Sequence, residues 1–164
     1  MTGAGTVDRR APEAGAGAGS EPSEHDRVVA AGEHLLQQLA FRDVGHEGAD
    51  LAIEIDLGPR VTNPRGALQG GLMATLVDVV AGRAVLETGP GAGPRTGVAT
   101  ADLTIHFLKG LSVGPARAAA TVVRRGRSLA VVTVEVLDMG TGALCAVATV
   151  AFSVSAARSD VPTP

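Results

Sequence analysis

Gln69-Gly70-Gly71-Leu72-Met73-Ala74-Thr75-Leu76-Val77-Asp78-Val79-Val80-Ala81 is the stretch that decides how this chain is read. After the glycine pair comes a long apolar run with no helix breaker and a single carboxylate. A helix that is apolar on every side is buried, and an ionised carboxylate taken out of water without a partner is costly or shifts its pKa. Asp78 therefore needs a partner or a task. The glycines open the helix where its first amide groups have no intrahelical acceptor, and residues without Cβ let a ligand approach the backbone closely. Such a start can hold an oxygen that is gaining negative charge. On a period of 3.6 residues, Asp78 lies nearly two turns beyond Gly71 and on the same stripe. Two readings follow: a reactive group held between amide and carboxylate, or a structural carboxylate satisfied by a neighbouring amide or at a subunit boundary.

Outward from this helix, predicted over about Gln69 to Glu87, the loop Thr88-Gly89-Pro90-Gly91-Ala92-Gly93-Pro94 ends the run. Before it, Leu51, Ile53, Ile55 and Leu57 alternate with Ala52, Glu54, Asp56 and Gly58, the pattern of a half-buried strand. Earlier still, Val28, Val29, Leu35, Leu36 and Leu39 form a helical stripe from about Asp26 to Phe41, begun by capping at Ser23 or Asp26. After the long helix three strands are expected, separated by turns at Gly110 to Pro115, Arg125-Gly126-Arg127 and Met139 to Gly142. In the first, Ala101, Leu103, Ile105 and Phe107 oppose Thr100, Asp102, Thr104 and His106. Residues 1–25 are Gly-, Ala- and Pro-rich and read as a disordered leader, 26–155 as one folded domain, and 156–164 as a polar tail.

Asn63, the Gly70-Gly71 pair opening a long helix, Asp78 within it, and the strand Gly97 to Leu108 together resemble hotdog-fold thioesterases of the phenylacetate-pathway (PaaI-like) group. The resemblance spans about Ala49 to Val154 and rests on the order and spacing of several elements. It implies an α+β hotdog fold, a curved antiparallel sheet wrapped around one long central helix. It also implies hydrolysis of acyl-CoA thioesters. In that mechanism the amide of Gly70 or Gly71 polarises the thioester carbonyl, and Asp78 acts as general base or as nucleophile. Asn63 lies near the thioester and Thr100 orients water beside the carboxylate. The family builds its site across a dimer, so Asp78 is expected to face Gly70 and Gly71 of a partner chain. Gln69 departs from the family, which usually has His there. A glutamine amide offers a donor and an acceptor of similar reach, so the change is expected to be tolerated. If His were the base, Gln69 would instead mark an inactive relative.

The same residues have plainer readings. Asn63-Pro64 also suits an Asx turn, and Thr100, on the polar face by period, reads equally as a solvated threonine. Arg124, Arg125 and Arg127 flank Gly126 at a hairpin tip, where they bind the phosphates of coenzyme A or are simply solvated.

Composition bounds the rest. The chain has 164 residues, enough for one domain, and a net charge of −3, which argues against general nucleic-acid binding. The single Cys145 excludes an internal disulfide and, in an apolar strand, reads as core filler. The four histidines have no partner at metal-ligand spacing, so neither a metal nor a cofactor is expected. Neither a secretory signal nor a membrane span is expected, which suggests a cytoplasmic protein. One sheet around one helix leaves its edges open, so a homodimer is expected, and apolar faces on both sides of the last strands suggest a homotetramer. The acyl group is expected to be medium-chain or aromatic. The rivals are a non-catalytic acyl-CoA binding or sensing protein and a hotdog hydratase. The hydratase motif carries Asp before Asn-Pro and a nearby His, whereas Thr62 and Arg65 flank the pair here.

Overall fold

The computed structural model describes residues 22–156, apart from 46, 91, 94 and 95. Most of the predicted leader, and the tail beyond residue 156, lie outside the described residues.

The N-terminal segment begins with a capping box. The Ser23 hydroxyl accepts from the Asp26 amide at 3.2 Å while the Asp26 carboxylate accepts from the Ser23 amide at 3.0 Å. Ser23 and Asp26 thus both serve the cap. The helix so started, α1 (Glu24–Ala30), is short, and the single helix expected from about Asp26 to Phe41 is in fact two. Gly32 takes φ +72°, the Gly32 amide bonds the Val29 carbonyl and the Glu33 amide bonds that of Val28. Only glycine adopts this left-handed terminus at little cost. The apolar stripe resumes in α2 (Leu35–Gln38), one turn long.

Six strands form one antiparallel sheet: β1 (Arg42–Val44), β2 (Leu51–Ile55), β3 (Thr96–Phe107), β4 (Ala116–Arg125), β5 (Leu129–Asp138) and β6 (Ala143–Ala156). Their order across the sheet is β1-β2-β4-β5-β6-β3. The long helix, α3 (Gly70–Glu87), lies against β2, β3, β4, β5 and β6, burying Met73, Leu76, Val77, Val80, Ala81, Ala84 and Val85. This is the expected architecture of one helix held in a curved sheet.

Three details differ from the sequence reading. First, β1 and β4 were not among the expected strands. β4 is rich in alanine, which has low strand propensity, yet this inner strand, against which α3 lies, buries Ala118, Ala119 and Ala120. Second, Glu54, expected on a solvated face, is 6% exposed. The Arg117 guanidinium donates to it at 2.7 Å and Arg42 lies at 3.4 Å, so the carboxylate is covered by two cations rather than by water. Third, α3 is not enclosed on all sides, for Ala74, Thr75, Asp78 and Val79 remain half-buried.

Asp138 at the end of β5 fastens the opposite end of the sheet and is 2% exposed. Its carboxylate accepts from the amides of Ser112, Val113, Gly114 and Gly140 at 2.8–3.1 Å. Burial works to raise its pKa, but these four donors outweigh it and hold the carboxyl below its ordinary value.

Candidate active site

Asp78 sits on the half-buried side of α3, facing β3. The Thr100 hydroxyl donates to its Oδ1 at 2.8 Å. Strict alternation puts Thr100 with Asp102, Thr104 and His106 on the polar face, so this contact requires a break in period, and the strand supplies one. Thr100 pairs with Phe152 and Asp102 with Ala151, leaving Ala101 unpaired in a β-bulge. The extra residue turns Thr100 to the helix side, the side that Leu103 and Ile105 also take beyond the bulge. The expectation of a polar-face threonine is therefore corrected. β3 is also the end strand of the sheet, so the pair lies beside an open edge.

At the other end of α3, Gln69 is the N-cap, with φ −60° and ψ 134° and no capping bond from its side chain. Its amide instead donates to the Val61 carbonyl at 2.9 Å. Backbone therefore braces this loop. Gly70 is the first helical residue, and no described bond takes up its amide. A Cβ built on Gly70 would come 3.7 Å from the Phe107 ring, and one built on Gly71 would meet nothing within 4 Å. Neither glycine is needed to avoid a clash. What they leave open is access to the first amides of a long helix, where the macrodipole adds partial positive charge.

Asn63 Oδ1 accepts from the Arg65 amide at 2.9 Å and from the Ala67 amide at 3.3 Å, so the Asx-turn reading holds. With its oxygen committed to the loop, Asn63 has its amide nitrogen left to offer a ligand. It lines a hollow of about 310 Å³ with Gly70, Met73, Phe107, Lys109 and Leu111. Phe107, Lys109 and Leu111 were not foreseen as site residues. The signal available for them was their place at the end of β3 and in the turn around Gly110 that follows it.

The hairpin residues go elsewhere. Arg124 is exposed and lines a separate hollow with Thr88, Gly89 and Pro90, near the C-terminus of α3. Arg127 is exposed, and the Gly126 amide closes the turn on the Leu129 carbonyl at 2.7 Å. Arg125, between them, turns inward and donates to the Val85 carbonyl and, at 2.9 Å, to that of Thr88. Its guanidinium thus satisfies carbonyls at the C-terminal end of α3. Gly70 and Glu87 are the two ends of α3, about 25 Å apart at the helical rise. Arg124, Gly126 and Arg127 are thus remote from Gly70 of their own chain. Asp78 and Gly70 are also separated, by about 12 Å along the helix axis. The predicted residues therefore fall into three places in one protomer: Asp78 with Thr100, Asn63 with Gly70 beside Gln69 and Gly71, and the hairpin tip.

A family model of the thioesterase superfamily matches residues 65–145, from the loop before α3 to the early part of β6. No curated protein sequence matches the chain. Among solved structures, a thioesterase from Haemophilus influenzae superposes with a TM-score of 0.70 at 17% identity, covering 84% of this chain and 94% of that one. A thioesterase variant from Pseudomonas aeruginosa gives a TM-score of 0.66 at 18% identity, with 83% and 96% covered. A Bacillus halodurans protein solved with CoA gives 0.63 at 29% identity, with 74% and 75% covered. Sequence match and architecture agree: residues 65–145 resemble the thioesterase superfamily, and the chain has the hotdog fold.

Proposed function

We propose that this protein is a PaaI-like acyl-CoA thioesterase that hydrolyses a medium-chain or aromatic acyl-CoA to the free acid and coenzyme A. The observation that carries the proposal is the 2.8 Å bond from Thr100 to Asp78 beside the open β3 edge. A carboxylate held by a hydroxyl at an accessible edge is placed to activate a water, which the threonine oxygen can help orient, or to attack a carbonyl. The Bacillus relative bound to CoA supports coenzyme A as the thiol.

Thioester hydrolysis also needs a donor for the developing oxyanion about 3 Å from the reacting oxygen. Gly70 offers an uncommitted amide, but about 12 Å from Asp78 of the same chain it is too far to share one carbonyl. Two copies resolve this. If the β3 edges pair antiparallel about a dyad between Leu103 and Thr104, Thr100 of one copy lies opposite Phe107 of the other. Thr100 carries Asp78, and Phe107 adjoins Gly70. That pairing draws Asp78 to the partner's Gly70 and Gly71, with Asn63 and Gln69 on the same rim. It also covers the half-buried side of α3. Arg124, Gly126 and Arg127 are assigned to the phosphates of coenzyme A, and the site needs neither a metal nor a cofactor. A homotetramer, in which two such dimers associate, is the assembly we propose, in the cytoplasm.

The test is release of free thiol from a panel of acyl-CoAs. Wild-type protein is expected to turn over octanoyl or aromatic substrates. Asp78→Asn is expected to lower kcat by about 10² to 10⁴ with an unchanged melting temperature. Binding without turnover in the wild type would favour the sensing alternative.

A further inference from the structure

Lys109 is the only lysine in the chain, and it stands on the rim of the hollow that holds Gly70. The segment carrying it is fixed at both ends. The Leu108 and Lys109 amides donate to the Cys145 carbonyl at 2.8 and 3.2 Å, and the Leu111 carbonyl accepts from the Leu68 amide at 2.7 Å. Just before it, Phe107 adjoins Gly70. The root of the lysine is therefore held beside the amide assigned to the thioester oxygen, while its side chain is exposed and, among the described residues, paired with no carboxylate. A flexible four-carbon stem places its amine within reach of a carbonyl seated at Gly70.

We propose that Lys109 is a self-acylation site, modified by the acyl-CoA that the hollow binds. This inference rests on the acyl-CoA reading above. The neutral amine attacks the thioester carbon, a C–N bond forms, the C–S bond breaks and coenzyme A leaves as thiolate. The proton lost from nitrogen balances the thiolate, so the products are an amide and free coenzyme A, and no further reactant is required. The Gly70 amide that polarises the carbonyl for water polarises it equally for the amine. Acylation removes the positive charge and leaves the acyl chain tethered in the hollow, so a modified chain blocks its own site. Hydrolysis through Asp78 is the competing fate of the same bound thioester.

The experiment uses the full chain carrying Asp78→Asn, which suppresses the competing hydrolysis, incubated with octanoyl-CoA and followed by intact mass and peptide mapping. One octanoyl increment per chain is expected on the peptide containing Lys109, stable to hydroxylamine, forming at least tenfold faster in the folded chain than in urea, and missing in Asp78→Asn with Lys109→Arg. Equal rates in folded and unfolded chain, an adduct confined to the N-terminal amine, or a hydroxylamine-labile adduct on Cys145 would each overturn the proposal. Hydrolysis of octanoyl-CoA by the wild type with no Lys109 adduct on the Asp78→Asn chain would sink self-acylation alone, whereas neither wild-type hydrolysis nor an adduct would sink the thioesterase reading with it.

Discussion

The proposed chemistry of this protein depends on a single N–H, that of Gly70. It is the first residue of α3, follows an extended Gln69, and its position has room for added atoms. Proline suits that first helical position, and the residue before it already has the extended backbone that proline requires. Gly70→Pro therefore deletes the amide donor while leaving the helix start intact. The expected result is a fall in kcat of about 10² to 10³ with little change in melting temperature, measured by thiol release and calorimetry. Retained turnover would move the oxyanion donor to Gly71. Asp78 was legible from the sequence because a lone carboxylate in an apolar helix is an energetic anomaly that composition alone exposes. Its partner was legible only through the family resemblance, since period placed Thr100 on the wrong face.

That error belongs to the element, and its cause is one residue. Ala101 is the bulge in β3, and it reverses the facing of Thr100 relative to the strand beyond. Bulges carry no strong sequence signal when the residue is neither glycine nor proline, so alternation cannot reveal one here. Thr100→Val keeps the bulge and the β-branched shape but removes the hydroxyl that donates to Asp78. A hydrogen bond to a charged group contributes about 1.5–3 kcal/mol, so turnover should drop roughly ten- to hundredfold while circular dichroism stays native. Full activity in Thr100→Val would show that the threonine contact is not used. The two misread helices have a similar origin. Gly32 interrupts an apolar stripe that otherwise continues, and the pattern records hydrophobicity, not φ. By contrast, the long helix and the glycine-bearing turns were legible because each is marked by chemistry local to it.

At the scale of the whole molecule, two buried carboxylates hold distant segments together, and neither was apparent in the sequence because their partners are far along the chain. Asp138 gathers amides from the loop before β4 and the hairpin after β5. Because its pKa is lowered in the folded state, its contribution is fully present above the ordinary aspartate value of about 3.9 and is lost as pH falls through the lowered value. Asp138→Asn is expected to cost on the order of 3 kcal/mol at neutral pH, a gap that narrows below about pH 4 in denaturant titrations. A gap that stays constant down to pH 3 would contradict this role.

The shape of the molecule also leaves the proposed chemistry unfinished in one protomer, with Asp78 and Gly70 on one helix yet too far apart to meet. In the proposed dimer, two copies complete each other. Co-expressing Asp78→Asn chains with Gly70→Pro chains tests it most directly, since a mixed dimer would unite the intact Asp78 of one chain with the intact Gly70 of the other. Free-thiol release should return to roughly half the wild-type rate per mixed dimer, although each variant alone is nearly dead. Mixed dimers that form and stay inactive would contradict a site shared between chains.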